Sequence, residues 1–81
     1  MVKSNKIKAL LSLKNKKSIE LTNALGLSKP QALTTKYARD SFTSDDLIKL
    51  AELTDTKLCF ADKGTDKIII EFDKKDITSK E

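Results

Sequence analysis

The spacing of apolar residues predicts four short helices along the first two-thirds of the chain. In four stretches apolar side chains recur three or four positions apart, as they do on the buried face of an amphipathic helix. The four stripes are Ile7, Leu10 and Leu11; Leu21, Ala24 and Leu25; Leu33 and Tyr37, with Lys36 at the same spacing; and Leu47, Ile48, Leu50, Ala51 and Leu53. The pattern favours a mainly α-helical domain with a core of leucine and isoleucine.

Capping residues indicate where three of these helices begin. Ser4 stands just before the first stripe, and its hydroxyl is expected to accept a hydrogen bond from a first-turn N–H. The second helix is expected to start near Ser18. Thr43 and Asp46 have the spacing of a reciprocal cap, which predicts the start of the fourth helix. That helix ends by residues 54–56.

A tight turn separates the second and third helices. Gly26 follows the second stripe, where a glycine takes the left-handed backbone of a helix exit without a Cβ penalty. Ser28 and Gln31 have the spacing of a capping box, and Pro30 suits a first helical turn because it lacks an N–H. These features predict a third helix over 28–38 and a helix-turn-helix unit.

After residue 57 the apolar period changes from helical to alternating. Residues 57–61 and 67–72 are typical of two β-strands, joined by a polar turn that contains Gly64. Alternation places Leu58, Phe60, Ile68, Ile70 and Phe72 on one face of the hairpin, and Cys59, Ala61 and Ile69 on the other. Both faces are apolar, which predicts that both are covered.

The hairpin needs a second cover that the helices do not supply. A two-stranded hairpin is marginally stable by itself, and the four helical stripes are used to pack the helices together. We therefore predict a homodimer through the hairpin. Its dimerisation residues would be Leu58, Cys59, Phe60, Ala61, Ile68, Ile69, Ile70 and Phe72. The alternative is a monomer whose hairpin folds back onto its own helices.

The charge is distributed unevenly along the chain. Residues 1–39 carry nine basic side chains and one acid, whereas residues 40–81 carry seven basic side chains and eleven acids. A basic half of this density is the electrostatic footprint of a polyanion-binding protein. The alternative is a lysine-rich surface that is simply solvated.

The sequence lacks the residues that most enzymes and metal sites need. It has no histidine, a single cysteine (Cys59) and two distant glycines, which excludes imidazole catalysis, a zinc ribbon and a Gly-rich phosphate loop. No apolar stretch approaches the roughly 20 residues that span a bilayer, and no signal-peptide pattern is present. We expect a cytoplasmic protein with no enzymatic activity, no cofactor and no membrane association.

The helix-turn-helix region also resembles a known family. The run Glu20-Leu21-x-x-Ala24-Leu25-Gly26-Leu27-Ser28, followed by Gln31-Ala32-Leu33 and Arg39-Asp40-Ser41-Phe42, resembles the lambda-repressor-like (Cro and xenobiotic-response-element) DNA-binding domains. The resemblance covers roughly residues 7–53. It implies a four-to-five-helix domain over 1–56, followed here by the β-hairpin over 57–72 and a charged flexible tail over 73–81.

The resemblance also implies which residues contact DNA. The third helix would enter the major groove and present outward Lys29, Gln31, Ala32, Thr34, Thr35 and Lys36. Lys29, Gln31, Thr34 and Thr35 would set base preference, since these side chains can read base edges and the thymine methyl group. Phosphates would be held mainly by Lys16, Lys17, Lys36 and Arg39, and Ser18 could also donate to one. Ser28 is included among the DNA-binding residues. For Gln31 a capping role alone is the alternative.

Together these features predict a sequence-specific regulator that binds double-stranded DNA as a homodimer, most simply a repressor of bacterial, phage or plasmid type. Two rivals stay open. One is an antitoxin whose hairpin or tail grips a toxin protein. The other is a protein-interaction module that kept the fold and uses its basic surface on an acidic protein.

Overall fold

The computed structural model describes residues 3–77, which form four α-helices, a two-stranded antiparallel hairpin and a short 3₁₀ turn. In chain order the elements are α1 (Lys3–Leu13), α2 (Ser18–Ala24), α3 (Pro30–Arg39), α4 (Ser44–Thr54), β1 (Leu58–Ala61), β2 (Ile68–Phe72) and the 3₁₀ turn (Lys74–Asp76). The predicted architecture of a helical domain followed by a C-terminal hairpin is confirmed.

The core lies among the four helices, where α2 packs on both α3 and α4. Its buried apolar residues come from every helix and from the loop after α3: Ile7, Leu11, Leu21, Leu25, Leu33, Phe42, Ile48, Leu50 and Ala51. All but Phe42 belong to the predicted helical stripes. Phe42 closes the core from the loop, with its ring 5.5 Å from that of Tyr37.

Each of the four helices ends at a residue with a left-handed backbone. These residues are Asn15, Gly26, Asp40 and Asp55, with φ between 51° and 73°. In each case the next N–H bonds back to a carbonyl five residues earlier, for example Leu27 N to Thr22 O at 3.0 Å. These hydrogen bonds satisfy carbonyls at the helix ends that would otherwise lack partners. The predicted left-handed exit at Gly26 is confirmed.

Two of the predicted helix starts are wrong. Ser4 lies inside α1, and its N–H donates to the Asp40 carboxylate at 2.8 Å, so the cap comes from another part of the chain. Ser28 does not cap α3, which begins at Pro30 with Lys29 as its extended N-cap residue. The capping box would have needed Lys29 in a helical conformation, which is disfavoured directly before a proline.

The start of α4 matches the prediction. Asp46 N–H donates to Thr43 Oγ1 at 3.1 Å, and Thr43 N–H donates to Asp46 Oδ2 at 3.0 Å. This reciprocal pair satisfies two of the backbone donors that a helix start leaves without partners. α2 also begins where expected, at Ser18.

The hairpin contacts the helical domain at its base. Leu58 pairs with Phe72 and Phe60 pairs with Ile70, which places these four side chains on one face. The rings of Phe60 and Phe72 meet edge to face, 5.9 Å apart. Leu58 and Phe72 are half-buried, whereas Phe60 and Ile70 are exposed. This face is therefore covered at one end only.

A β-bulge interrupts the alternation of β2. Phe60 pairs with Ile70 but Ala61 pairs with Ile68, so Ile69 is an extra residue in β2. Ile68 consequently shares a face with Ala61, and the prediction that it lies with Ile70 and Phe72 is wrong.

The first part of the predicted tail contains the 3₁₀ turn. This turn lies against α4, and Asp73 Oδ1 accepts from Lys75 N–H at its start, at 2.9 Å. Residues 78–81 lie outside the described residues, and the flexibility of the tail stays a prediction.

Candidate DNA-binding surface

The helix-turn-helix unit consists of α2, the turn over 25–29 and α3. Gly26 reverses the chain after α2, and Leu27 anchors the turn by packing against the core. Thr22 of α2 is buried, with its hydroxyl donating to Ser18 O at 3.0 Å. A small side chain at this position lets α2 pack closely on its neighbours.

α3 has one buried face and one exposed face. Leu33 is buried and Tyr37 is half-buried against the core. Four small or uncharged side chains spaced three or four positions apart lie on the exposed face, and we call them the recognition stripe: Gln31, Thr34, Thr35 and Ala38. Ala38 was missed from the sequence, although its position seven residues after Gln31 was a usable signal.

The two threonine hydroxyl groups of the recognition stripe form hydrogen bonds within α3. Thr34 Oγ1 and Thr35 Oγ1 lie 3.4 and 3.0 Å from the carbonyls of Pro30 and Gln31, to which they donate. Both threonine side chains are exposed. Among residues 3–77 the Gln31 amide has no hydrogen-bond partner. The alternative that Gln31 serves only as a cap for Ser28 is therefore wrong.

Basic and polar residues flank the stripe. Lys29 lies at the N-terminal end of α3 and Arg39 at its C-terminal end, and both are exposed. Lys17 and Ser18 are exposed at the start of α2, and Ser28 is exposed in the turn. The structure thus brings most of the sequence-predicted contact residues to one helix-turn-helix unit.

Two residues predicted to face outward do not. Ala32 is half-buried. The Lys36 ammonium lies 2.8 Å from Asp46 Oδ2, with side-chain exposures of 22% and 11% for the two partners. It also lies 5.9 Å from the centre of the Phe42 ring. Lys36 therefore points towards α4, and the prediction that it belongs to the exposed face is wrong.

Several cations of the basic half have no acidic partner. Within the described part of the chain, ion pairs join Lys3 to Asp40, Lys16 to Glu20, Lys36 to Asp46 and Lys57 to Glu71. Those ion pairs leave out six exposed cations of the basic half: Lys6, Lys8, Lys14, Lys17, Lys29 and Arg39. These cations supply the positive potential that attracts a polyanion.

Asp40 fixes the end of α3 against α1. Its Oδ1 accepts from Ser4 N–H at 2.8 Å and lies 2.8 Å from Ser4 Oγ, and its Oδ2 lies 3.4 Å from Lys3 Nζ. The hydrogen bond from the Ser4 hydroxyl is the largest of the effects that hold the pKa of the Asp40 carboxyl below its ordinary value. The C-terminal end of the exposed helix is thereby held in place.

A family model describes most of this architecture. Residues 6–65 match the bacteriophage CI repressor helix-turn-helix domain, a match that runs from α1 into the turn of the hairpin. The chain belongs to this family. No curated protein and no solved structure matches it.

Membership in the CI repressor family identifies the chain as a DNA-binding transcription regulator of phage type. It confirms the sequence-based assignment to lambda-repressor-like helix-turn-helix proteins. The family is a regulatory one and is not known for enzymatic activity. In residues 3–77 no helix is long and apolar enough to cross a membrane. The same residues contain no group of three or more side chains suited to hold a metal ion.

Proposed function

We propose that this CI-type domain is a sequence-specific repressor that binds operator DNA as a homodimer, with α3 in the major groove. The observation that carries the proposal is the recognition stripe: an exposed helical face without charge, flanked by Lys29 and Arg39, which have no acidic partner in the described chain. A face of this kind can lie against base edges while cations at its margins hold the phosphate backbone.

We assign base preference to four residues of α3 and to Lys29, which directly precedes this helix. Gln31 has a free amide that can bind adenine through two hydrogen bonds, and Lys29 can donate to guanine. The methyl groups of Thr34, Thr35 and Ala38 can contact the thymine methyl group. A stripe with three methyl groups and one amide favours a half-site rich in A·T pairs.

Phosphate binding is assigned to the residues around the stripe. Lys17 and Ser18 at the start of α2, Ser28 in the turn and Arg39 at the end of α3 are all exposed. Lys16 is a weaker candidate because its ammonium lies 3.9 Å from Glu20 Oε1. Lys36 is assigned instead to positioning α3, since its ammonium is held by Asp46.

The homodimer would form through the hairpin. Four of its large apolar side chains are exposed: Phe60, Ile68, Ile69 and Ile70. Burying them between two copies is favourable because apolar surface leaves water. A dimer also places two recognition helices about 34 Å apart, which matches successive major grooves on one side of the duplex.

Selection of bound sequences from a random duplex pool tests this proposal. We expect enrichment of a two-fold symmetric site whose half-sites are centred about 10–10.5 base pairs apart, or a multiple of that spacing. Binding should weaken steeply with salt. A pool that shows no enrichment, together with salt-dependent binding to every duplex, would contradict sequence-specific binding. Failure to bind any duplex would favour the protein-interaction alternative.

A further inference from the structure

A groove lies between α4 and the hairpin, outside the DNA-binding surface. It has a volume of about 560 Å³ and is lined mainly by Leu47 and Ile48 of α4 and by Leu58, Phe60 and Phe72 of the hairpin. This volume is in the range of sites that take a ligand or a large side chain, roughly 300–1,000 Å³. We propose that the Phe60 side chain of a second copy fills this groove, and this inference rests on the homodimer proposed above.

The apolar face of the hairpin extends beyond the part that lies beside α4. Leu58 and Phe72 are half-buried beside α4, and Phe60 and Ile70 on the same face are 66% and 54% exposed. Phe60 therefore borders the groove of its own chain and also presents an exposed ring to a second copy. A two-fold interface requires such self-complementarity, because each copy must offer both the inserted group and the site that receives it.

The charges around the groove favour a second copy as well. The carboxylate residue Asp76 is among its lining residues. The turn that follows Phe60 carries Lys63 and Lys67, which are exposed and form no ion pair within residues 3–77. Insertion of Phe60 would bring these lysines of one copy towards Asp76 of the other, which adds electrostatic complementarity.

The groove and the recognition stripe lie in different halves of the chain. The groove lies in the acidic half, whereas the recognition stripe lies in the basic half. A second copy seated in the groove would therefore leave the recognition stripe available for DNA.

The first test compares the self-association of the full chain with that of two single variants by sedimentation velocity. Phe60→Ser is the test variant. Leu13→Ser is the matched control, because Leu13 is 82% exposed at the end of α1 and lies outside the groove. We expect Phe60→Ser to weaken dimerisation more than tenfold at unchanged helical content, and Leu13→Ser to change it less than threefold.

A second test detects the contact directly. Two chains are prepared in a Cys59→Ser background, one with Ile70→Cys and one with Ser44→Cys. Ile70 pairs with Phe60 on the same face, and Ser44 lines the groove at the start of α4. Mild oxidation of the mixture should yield a disulfide between the two kinds of chain. A wild-type dimer with neither this cross-link nor sensitivity to Phe60→Ser would overturn the groove assignment alone. A wild type that stays monomeric at 100 µM would overturn the homodimer as well.

Discussion

The ammonium group of Lys36 in α3 lies 2.8 Å from Oδ2 of Asp46 in α4. The same carboxylate oxygen accepts the Thr43 N–H at 3.0 Å and so closes the cap of α4. One side chain thus joins the helix that carries the recognition stripe to the helix that contacts the hairpin. The sequence suggests Lys36 as a phosphate contact, but in the structure this lysine holds α3 against α4.

This geometry predicts how Lys36 and Arg39 differ. Lys36→Met keeps the aliphatic stem but removes the ion pair, so the free energy of unfolding in urea should fall by about 1.5–3 kcal/mol. The slope of log affinity for DNA against log salt should stay unchanged, because no phosphate contact is lost. Arg39→Ala should leave stability nearly unchanged and reduce the slope by about one. If Lys36→Met reduced the slope of log affinity against log salt, Lys36 would be a phosphate contact after all.

Asp40 should make stability sensitive to acid. Its pKa is lower in the folded protein than its ordinary value, chiefly through the hydrogen bond from Ser4. Folding is therefore favoured where the carboxyl is ionised. This contribution is fully present above the ordinary aspartate pKa of about 3.9 and is lost as pH falls from there through the lower folded pKa. The difference in unfolding free energy between wild type and Asp40→Asn should shrink across this range. A difference that is constant from pH 7 to pH 2 would contradict the role of the charge.

Tyr37 carries a buried hydroxyl without a hydrogen-bond partner in residues 3–77. Sequence analysis indicated a core position for Tyr37, but the hydroxyl does not reach a polar partner, and burial raises the pKa of the phenol. Tyr37→Phe removes the unpaired group and keeps the ring beneath the Lys8 ammonium, 4.7 Å from the ring centre. We expect the free energy of unfolding to rise by about 1 kcal/mol. A loss of 1 kcal/mol or more in urea denaturation would show that the hydroxyl is bound.

Local sequence signals predicted the elements of this fold well, and interactions between distant residues less well. The apolar stripes and the reciprocal cap at Thr43 depend on residues a few positions apart, and the structure has them as expected. The cap that Asp40 provides for Ser4 joins residues 36 positions apart, so no local pattern could reveal it. The predicted outward position of Lys36 was wrong for the same reason, because its partner Asp46 belongs to the next helix.

Two further prediction errors have causes that lie within a few residues of the error. The restraint that Pro30 places on Lys29 overrides the capping pattern of Ser28. The bulge at Ile69 reverses the face of Ile68, and alternation alone cannot locate a bulge. The exposed positions of Gln31, Thr34 and Thr35 agree with the sequence prediction, while their contacts with bases stay a prediction.

Base reading by the recognition stripe can be measured as a difference in affinity between two duplexes. Dissociation constants are determined at one salt concentration for the enriched duplex and for a scrambled duplex of equal length. They are compared for wild type, for Gln31→Ala and for the control Lys74→Ala, whose side chain is exposed in the 3₁₀ turn.

Wild type and Lys74→Ala are expected to favour the enriched duplex by about a thousandfold or more. Gln31→Ala should lose about 1–3 kcal/mol of that preference and keep its affinity for the scrambled duplex. Equal affinity of the wild type for the two duplexes, or an unchanged preference in Gln31→Ala, would show that the recognition stripe does not read bases.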